Sequence, residues 1–398
     1  MKNKNDVVVV AAARTPIGKF GGIFKDLKAS HLAAILLENI VRKVDLDKNL
    51  IDDIILGDCV QHPAEANTAR TAMLLAKFPV EVPACTIQRQ CSSAMQAVEL
   101  GFLKIINKDA EIVIAGGVES MSSAPFYVDG ARWGLRLQHG EFTDTMWEML
   151  FSGSRILGEP MIMGQTAENL AEKYGINREE QDEVALRSHN NAEQATISGK
   201  FKDEIIPVKI SKKGKELIFD TDEHIRFGLK MEDLSKLKPV FKKNGTVTAG
   251  NSSGLNDGAA LLILMTRSKA EEMDLKPIAK IVSFSVAGVD PKIMGFGPVP
   301  ATEKLLKKTG ISLNDLGLIE LNEAFAAQYL ACEKALNLNR EIVNVNGSGI
   351  GLGHPVGCTG ARIMVSLIYE MKRRNIELGL ASLCVGGGMG MSVVIENE

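Results

Sequence analysis

The stretch CSSAMQAVELGFLKIINKDAEIVIAGG, Cys91 to Gly117, sets the architecture of this 398-residue chain. Between Ser92 and Ile106 the apolar residues Ala94, Ala97, Val98, Phe102, Ile105 and Ile106 recur at helical spacing. The polar link Asn107–Asp109 stops that pattern, and Ile112–Ala115 is a short β-branched run of the kind that forms a buried strand. A helix that leads at once into such a strand predicts an α/β fold with covered sheets.

The same order returns near the C-terminus. A helix predicted over Gly360–Arg374 meets a polar link at Arg373–Asn375 and then Ala381-Ser-Leu-Cys-Val-Gly-Gly, so two related halves are expected. Strands are also predicted at Val7–Val10, Ile54–Leu56, Ala259–Met265, Ile319–Leu321 and Leu383–Val385, and helices at Ser30–Val44, Gln165–Tyr174 and Glu179–Ser198. From about Gly117 to Phe241 the texture changes to methionine, charge and long polar stretches such as SKKGKELIFDTDEHIRFG, Ser211 to Gly228. That texture suits an inserted loop domain lying over the sheets. The expected division is 1–117 for the first part of an N-terminal half, 118–248 for the insertion, 249–273 for the last strand region of that half, and 274–398 for a C-terminal half.

Composition narrows the function. Hydrophobic residues make up 45% and charged residues 24%, as in an ordinary soluble globular enzyme or binding protein. The net charge of −3 supplies no polybasic field, which argues against nucleic acid or an anionic membrane as partner. No run approaches the ~20 apolar residues of a membrane span, and the start, MKNKNDVVVVAAARTPIG, lacks a signal-peptide cleavage site. A cytoplasmic location is expected. The six cysteines, at 59, 85, 91, 332, 358 and 384, lack the spacing of a zinc site or a disulfide framework, so reduced thiols and no metal are expected.

Two glycine-dense runs border ionisable groups: NVNGSGIGLGHPVGCTGAR, Asn344 to Arg362, holds His354, and LCVGGGMGMSVV, Leu383 to Val394, holds Cys384. Glycine lets backbone approach a ligand closely, so these runs read as loops shaped around something bound. Cys91 precedes a helix whose N-terminal dipole would favour thiolate, which makes it either a nucleophile or a packed core thiol. Asn322, at a strand end in Asn322-Glu323-Ala324-Phe325, is either a helix cap or an amide that polarises a carbonyl or a water. His354 is kept out of a helix interior by Pro355. Gly250-Asn251-Ser252-Ser253-Gly254 matches the G-x-S-x-G pattern of hydrolases, but turn signals follow where that motif requires a helix. Neither glycine run contains a strict G-x-G-x-x-G, so a dinucleotide site has little support.

In order along the chain, QRQCSSAMQA, AGNSSGLNDGAA, NEAFA, GLGHPVGCTGAR and CVGGGMG together resemble the thiolase family, and AARTPIGKFGG, AGGVESMS, MGQTAENLA and DPKIMGFGPVPA agree. The resemblance implies duplicated βαβαβαββ halves in an α/β/α/β/α layering with an inserted loop domain. It further implies acetyl-CoA, acetoacetyl-CoA and coenzyme A as substrates, no tightly bound cofactor, and a homodimer or a dimer of dimers. Carried over by position, Cys91 would be the acylated nucleophile, His354 its proton acceptor, Cys384 the acid and base at the α-carbon, and Asn322 the holder of a water. The Cys91 and Gly386 N–H groups would receive the oxyanion. Ser253 and Arg226 would touch the coenzyme, with Met163, Met294 and Phe325 beside the acyl group. Ile162-Met163-Gly164 stands where acetoacetyl-CoA-specific members commonly show His-Met-Gly, and Gln88-Arg89-Gln90-Cys91-Ser92 departs from the common Asn-Arg-x-Cys-Gly. Chain-length preference is where these departures bear.

Overall fold

The computed structural model describes residues 3–212 and 214–398; Met1 and Lys2 of the first segment, and Lys213 within the Ser211–Gly228 stretch, lie outside them. The first half runs β1 (Val7–Arg14), α1 (Ala29–Lys43), β2 (Asp53–Gly57), α2 (Thr68–Leu75), β3 (Ala84–Ile87), α3 (Ser93–Ile106) and β4 (Ile112–Ser120). Helices α4 (Met163–Tyr174) and α5 (Arg178–Ile197) and a hairpin, Val208–Lys212 with Lys215–Phe219, intervene before β5 (Asn256–Thr266). The second half follows as β6 (Ala279–Gly288), α6 (Pro298–Thr309), β7 (Leu318–Leu321), α7 (Ala326–Leu336), α8 (Val356–Arg374), β8 (Leu378–Val385) and β9 (Met389–Asn397). Its counterpart of β3 is reduced to a single parallel bridge between Ile319 and Val343.

The strands connect in the order β7-β8-β9-β6-β1-β5-β4-β2-β3, with Gly18–Lys19 added on β5. Within each half the crossovers are parallel, β2 with β3 and β4, and β7 with β8. The strands of the two halves pair where Val8 and Val9 face Lys280 and Ala279. Both faces of the strands are apolar, which is why they read as continuous hydrophobic runs.

Alternation along β4 shows how the layers arise. Ile112 and Ile114 point into a core with Leu32, Leu36 and Ile40 of α1 and Ala69 and Met73 of α2. Val113 and Ala115 point the other way, into a core shared by Ala94, Ala97 and Val98 of α3 and Ile363, Met364 and Leu367 of α8. In the second half Leu383 and Val393 face that same middle core, while Leu380 and Val394 face α7 and Leu305 of α6. The result is helix, sheet, helix, sheet, helix, the layering that the thiolase resemblance implies.

Two expectations shift. Helix α8 begins at Val356, four residues before the predicted Gly360, because Pro355 at its N-cap presets the entry and the first turn tolerates glycine. Strands β3, β6 and β9 and helices α2 and α6 add to the predicted set.

Candidate active site

Cys91 lies at the tip of a turn locked by its own neighbours. Gln90 takes the left-handed conformation, φ 47°. Ser93 Oγ accepts from the Arg89 N–H at 2.9 Å and donates to the Gln90 carbonyl at 2.6 Å, and Ser92 Oγ donates to the Arg89 carbonyl at 3.0 Å. The serines thus fix the nucleophile loop rather than cap α3 through their side chains. Cys91 itself is buried, 3% exposed.

His354 is set by a different chain of contacts. Its backbone N–H donates to Asn256 Oδ1 at 2.9 Å, across the two halves. Gly353 before it has φ 104°, and a Cβ there would stand 2.7 Å from the Asn256 side chain, so only glycine fits. His354 Nδ1 lies 2.7 Å from Thr359 Oγ1, which donates its proton to the Pro355 carbonyl at 2.9 Å. With that proton committed, the imidazole carries its hydrogen on Nδ1 and leaves Nε2 as the free acceptor, a tautomer assigned from the hydrogen-bond network.

Cys384, fully buried near the end of β8, packs with Met163, Met294 and Ala324. Two residues on, the Gly386 N–H points to the Cys91 sulfur. A Cβ on Gly386 would come within 2.6 Å of Ser152 Oγ and 2.7 Å of Met163 Cε, so any side chain there displaces both. Asn322 ends β7 with its backbone N–H on Ser382 O at 2.9 Å, and neither side-chain amide atom has a partner among the described residues. Its donor and acceptor are therefore available to a ligand or a water. Glu323 accepts from Ser188 Oγ, Asn344 Nδ2 and the Ile350 N–H, bracing the loop that precedes His354.

A cavity of about 190 Å³ collects Cys91, Met163, Ser253, Met294, Phe325 and His354. Arg226 lies apart from it, in a groove of about 360 Å³ with His224 and Phe20. Gly254 and Leu255 line both spaces, so the groove leads toward the cavity. Ser252 Oγ donates to the Thr248 carbonyl at 2.7 Å and β5 follows, which removes the hydrolase elbow.

Electrostatics reverse one expectation. Burial pushes the Cys91 thiol up to about 11, with Glu119 adding to the rise, against the downward pull of the Gly386 and Cys91 N–H groups. Proximity to a helix start does not produce a resting thiolate, because a buried anion without a cation costs more than the dipole returns. Burial and then Arg362 hold the His354 imidazole down at about 3. The resting pair is a thiol beside a neutral imidazole. Burial also lifts Cys384 well above the ordinary thiol range. Thr359 and Asn256, which orient His354, received no role from the sequence although both lie inside quoted motifs.

Comparison with known proteins agrees across the chain. The profile "Thiolase, N-terminal domain" matches residues 7–268 and "Thiolase, C-terminal domain" matches residues 275–397. The acetyl-CoA acetyltransferase of Syntrophomonas wolfei is 47% identical over 395 residues, covering 98% of this chain and 99% of that one. The crystal structure of the Bacillus anthracis acetyl-CoA acetyltransferase superposes with a TM-score of 0.96 at 56% identity, covering 99% of each chain. Human mitochondrial 3-ketoacyl-CoA thiolase in complex with CoA superposes at 0.94 with 42% identity, covering 99% of this chain and 98% of that one.

Proposed function

The chain belongs to the thiolase family, and from that premise we propose that it is an acetyl-CoA C-acetyltransferase, joining two acetyl-CoA reversibly into acetoacetyl-CoA and CoA. The observation that supports the mechanism is that Cys91 and His354 line one cavity, with the Gly386 N–H acting on the Cys91 thiol. As the Cys91 sulfur attacks the thioester carbonyl, its proton passes to His354 Nε2. The oxyanion forms against the Cys91 and Gly386 N–H groups, where preorganised donors act in a water-poor site. Collapse releases CoA, which takes the proton from His354, and leaves acetyl-Cys91.

In the second stage Cys384, its own proton first passed to His354, removes an α-proton from another acetyl-CoA; the resulting enolate attacks the acetyl group and displaces the Cys91 thiolate, which takes the proton back from His354. In cleavage the neutral Cys384 thiol, favoured by burial, hands its proton to the departing enolate. Asn322 and His354 would polarise the thioester oxygen of this second substrate, and Ser253, Arg226 and Phe325 would line the path of the coenzyme. Intact mass after incubation with acetyl-CoA tests the first stage, and release of CoA coupled to acetoacetyl-CoA tests the second.

One observation favours a broader 3-ketoacyl-CoA thiolase as the second reading. Behind the catalytic cavity lies another of about 290 Å³, and Met163 and Met294 line both. Methionine is the apolar side chain best able to move aside. Turnover on acetoacetyl-CoA against C6 to C10 ketoacyl-CoA separates the readings: a strong preference for the longer chains selects the second.

The proposal includes a homodimer or a dimer of dimers. The exposed apolar side chains Trp133, Leu137, Phe142, Ile156 and Leu157 of the segment between β4 and α4 support it. Light scattering tests the assembly. It also keeps the division 1–117 with 249–273, 118–248 and 274–398, and a cytoplasmic location. Among the described residues no helix is long and apolar enough to cross a membrane.

A further inference from the structure

Glu119, in the AGGVESMS stretch, has no part in the chemistry above, yet it is fully buried where the two halves meet. Its Oε1 accepts the Val60 N–H at 3.1 Å. Its Oε2 accepts the Cys59 N–H at 3.2 Å and, from the other half, the Gly357 N–H at 2.7 Å. Gly357 is the second residue of α8, three past His354, and its N–H is one of the donors a helix start leaves unpaired. A Cβ at Gly357 would stand 2.7 Å from the Val118 carbonyl oxygen and 2.8 Å from Cys59 N, so the segments are pressed together at this point.

The same carboxylate reaches the nucleophile side. Cys59, whose N–H it holds, donates its thiol to Gln90 Oε1 at 3.5 Å, and Gln90 precedes Cys91. Asp58, also fully buried, contacts the Glu119 carboxyl directly. Burial raises both carboxyls, with Asp58 adding to the rise at Glu119 and Glu65 to that at Asp58, so the touching pair shares a proton. Location of that proton follows from the partners. Both Glu119 oxygens already face N–H donors, whereas Asp58 Oδ2 accepts from Thr68 Oγ1 at 2.6 Å and Asp58 Oδ1 meets no other group. An O–H on Asp58 leaves the Val60, Cys59 and Gly357 N–H groups on a full carboxylate; an O–H on Glu119 leaves one of them on a hydroxyl oxygen, the weaker acceptor.

We propose that Glu119 is a positioning residue for acyl transfer: an ionised carboxylate, supported by a proton donated from Asp58, that holds the His354-bearing start of α8 in register with the Cys91 loop. This rests on the thiolase reading. It predicts an asymmetry between two isosteric variants. Asp58→Asn keeps an N–H donor toward Glu119 and an acceptor for Thr68, whereas Glu119→Gln turns an N–H₂ group against backbone N–H donors.

The test measures kcat and KM for acetyl-CoA and the rate of Cys91 acetylation by intact mass, with a melting curve for each variant. Glu119→Gln is expected to lower acetylation rate and kcat by on the order of a hundredfold, a loss of the size misplaced catalytic groups produce, with KM within about threefold. Asp58→Asn stays within about fivefold of wild type on the same scale. A tolerated Glu119→Gln, or an Asp58→Asn loss beyond about tenfold, overturns the proposal. Should Glu119→Gln fail to fold, Asp58→Asn decides alone by the same limit. A wild-type protein that never acetylates Cys91 instead defeats the thiolase reading.

Discussion

Thr359 Oγ1 sits 2.7 Å from His354 Nδ1 and gives its own proton to the Pro355 carbonyl. This contact decides which imidazole nitrogen can accept the Cys91 proton. Thr359→Val removes the acceptor for Nδ1–H and frees the wrong tautomer, so kcat should fall about a hundredfold or more while KM changes little. Thr359→Ser restores the hydroxyl and should return most of the rate. Steady-state kinetics on the three proteins checks this, and a serine variant as slow as the valine one contradicts it.

Raised thiol and lowered imidazole ionisation give a pH signature. With the Cys91 thiol near 11, the thiolate fraction without substrate grows about tenfold per pH unit through the neutral and mildly alkaline range. Alkylation of Cys91 by iodoacetamide, followed by peptide mass, should climb steadily through that range. A plateau at or below neutral pH would mean a stabilised resting thiolate.

Gly386→Ala keeps an allowed backbone but pushes a methyl into Ser152, Met163 and Gln90. The displaced N–H costs oxyanion stabilisation, and loss of one such donor lowers kcat by about 10²–10³. Melting temperature and kcat together separate this from simple unfolding.

The two thiols should separate cleanly. Cys384→Ala retains Cys91, His354 and Gly386, so it should still form acetyl-Cys91 while condensation falls by about 10²–10⁴, the range of a lost general acid or base. Mass spectrometry reads the first stage and acetoacetyl-CoA formation the second. An unacetylated variant would place Cys384 in the first stage as well.

Much of this was legible because its causes are local. The β-branched run Ile112–Ala115 and the helical spacing before it needed only periodicity, and β4 and α3 follow it closely. Strand β7 contains the run Ile319–Leu321 that reads as a strand. Strand β3 escaped notice because its four residues are half-exposed at a sheet edge, and β6 because Lys280, Ser283 and Ser285 interrupt its apolar pattern. At the candidate site, motif order pointed to the reactive side chains. It could not reveal Thr359 at His354, or Glu119 between Cys59 and Gly357, because those depend on a contact across 238 residues of chain or on a hydroxyl's choice of acceptor. Nor could helix position announce the Cys91 ionisation, since burial is a property of the whole fold.

Both stages of the proposed reaction turn on Cys91 carrying the acyl group. Brief incubation with acetyl-CoA, acid quench, intact mass and peptide mapping test it most directly. One acetyl group per chain is expected on the peptide holding Cys91, lost on adding CoA and absent in Cys91→Ala. No adduct, or an adduct that persists in Cys91→Ala, would contradict it.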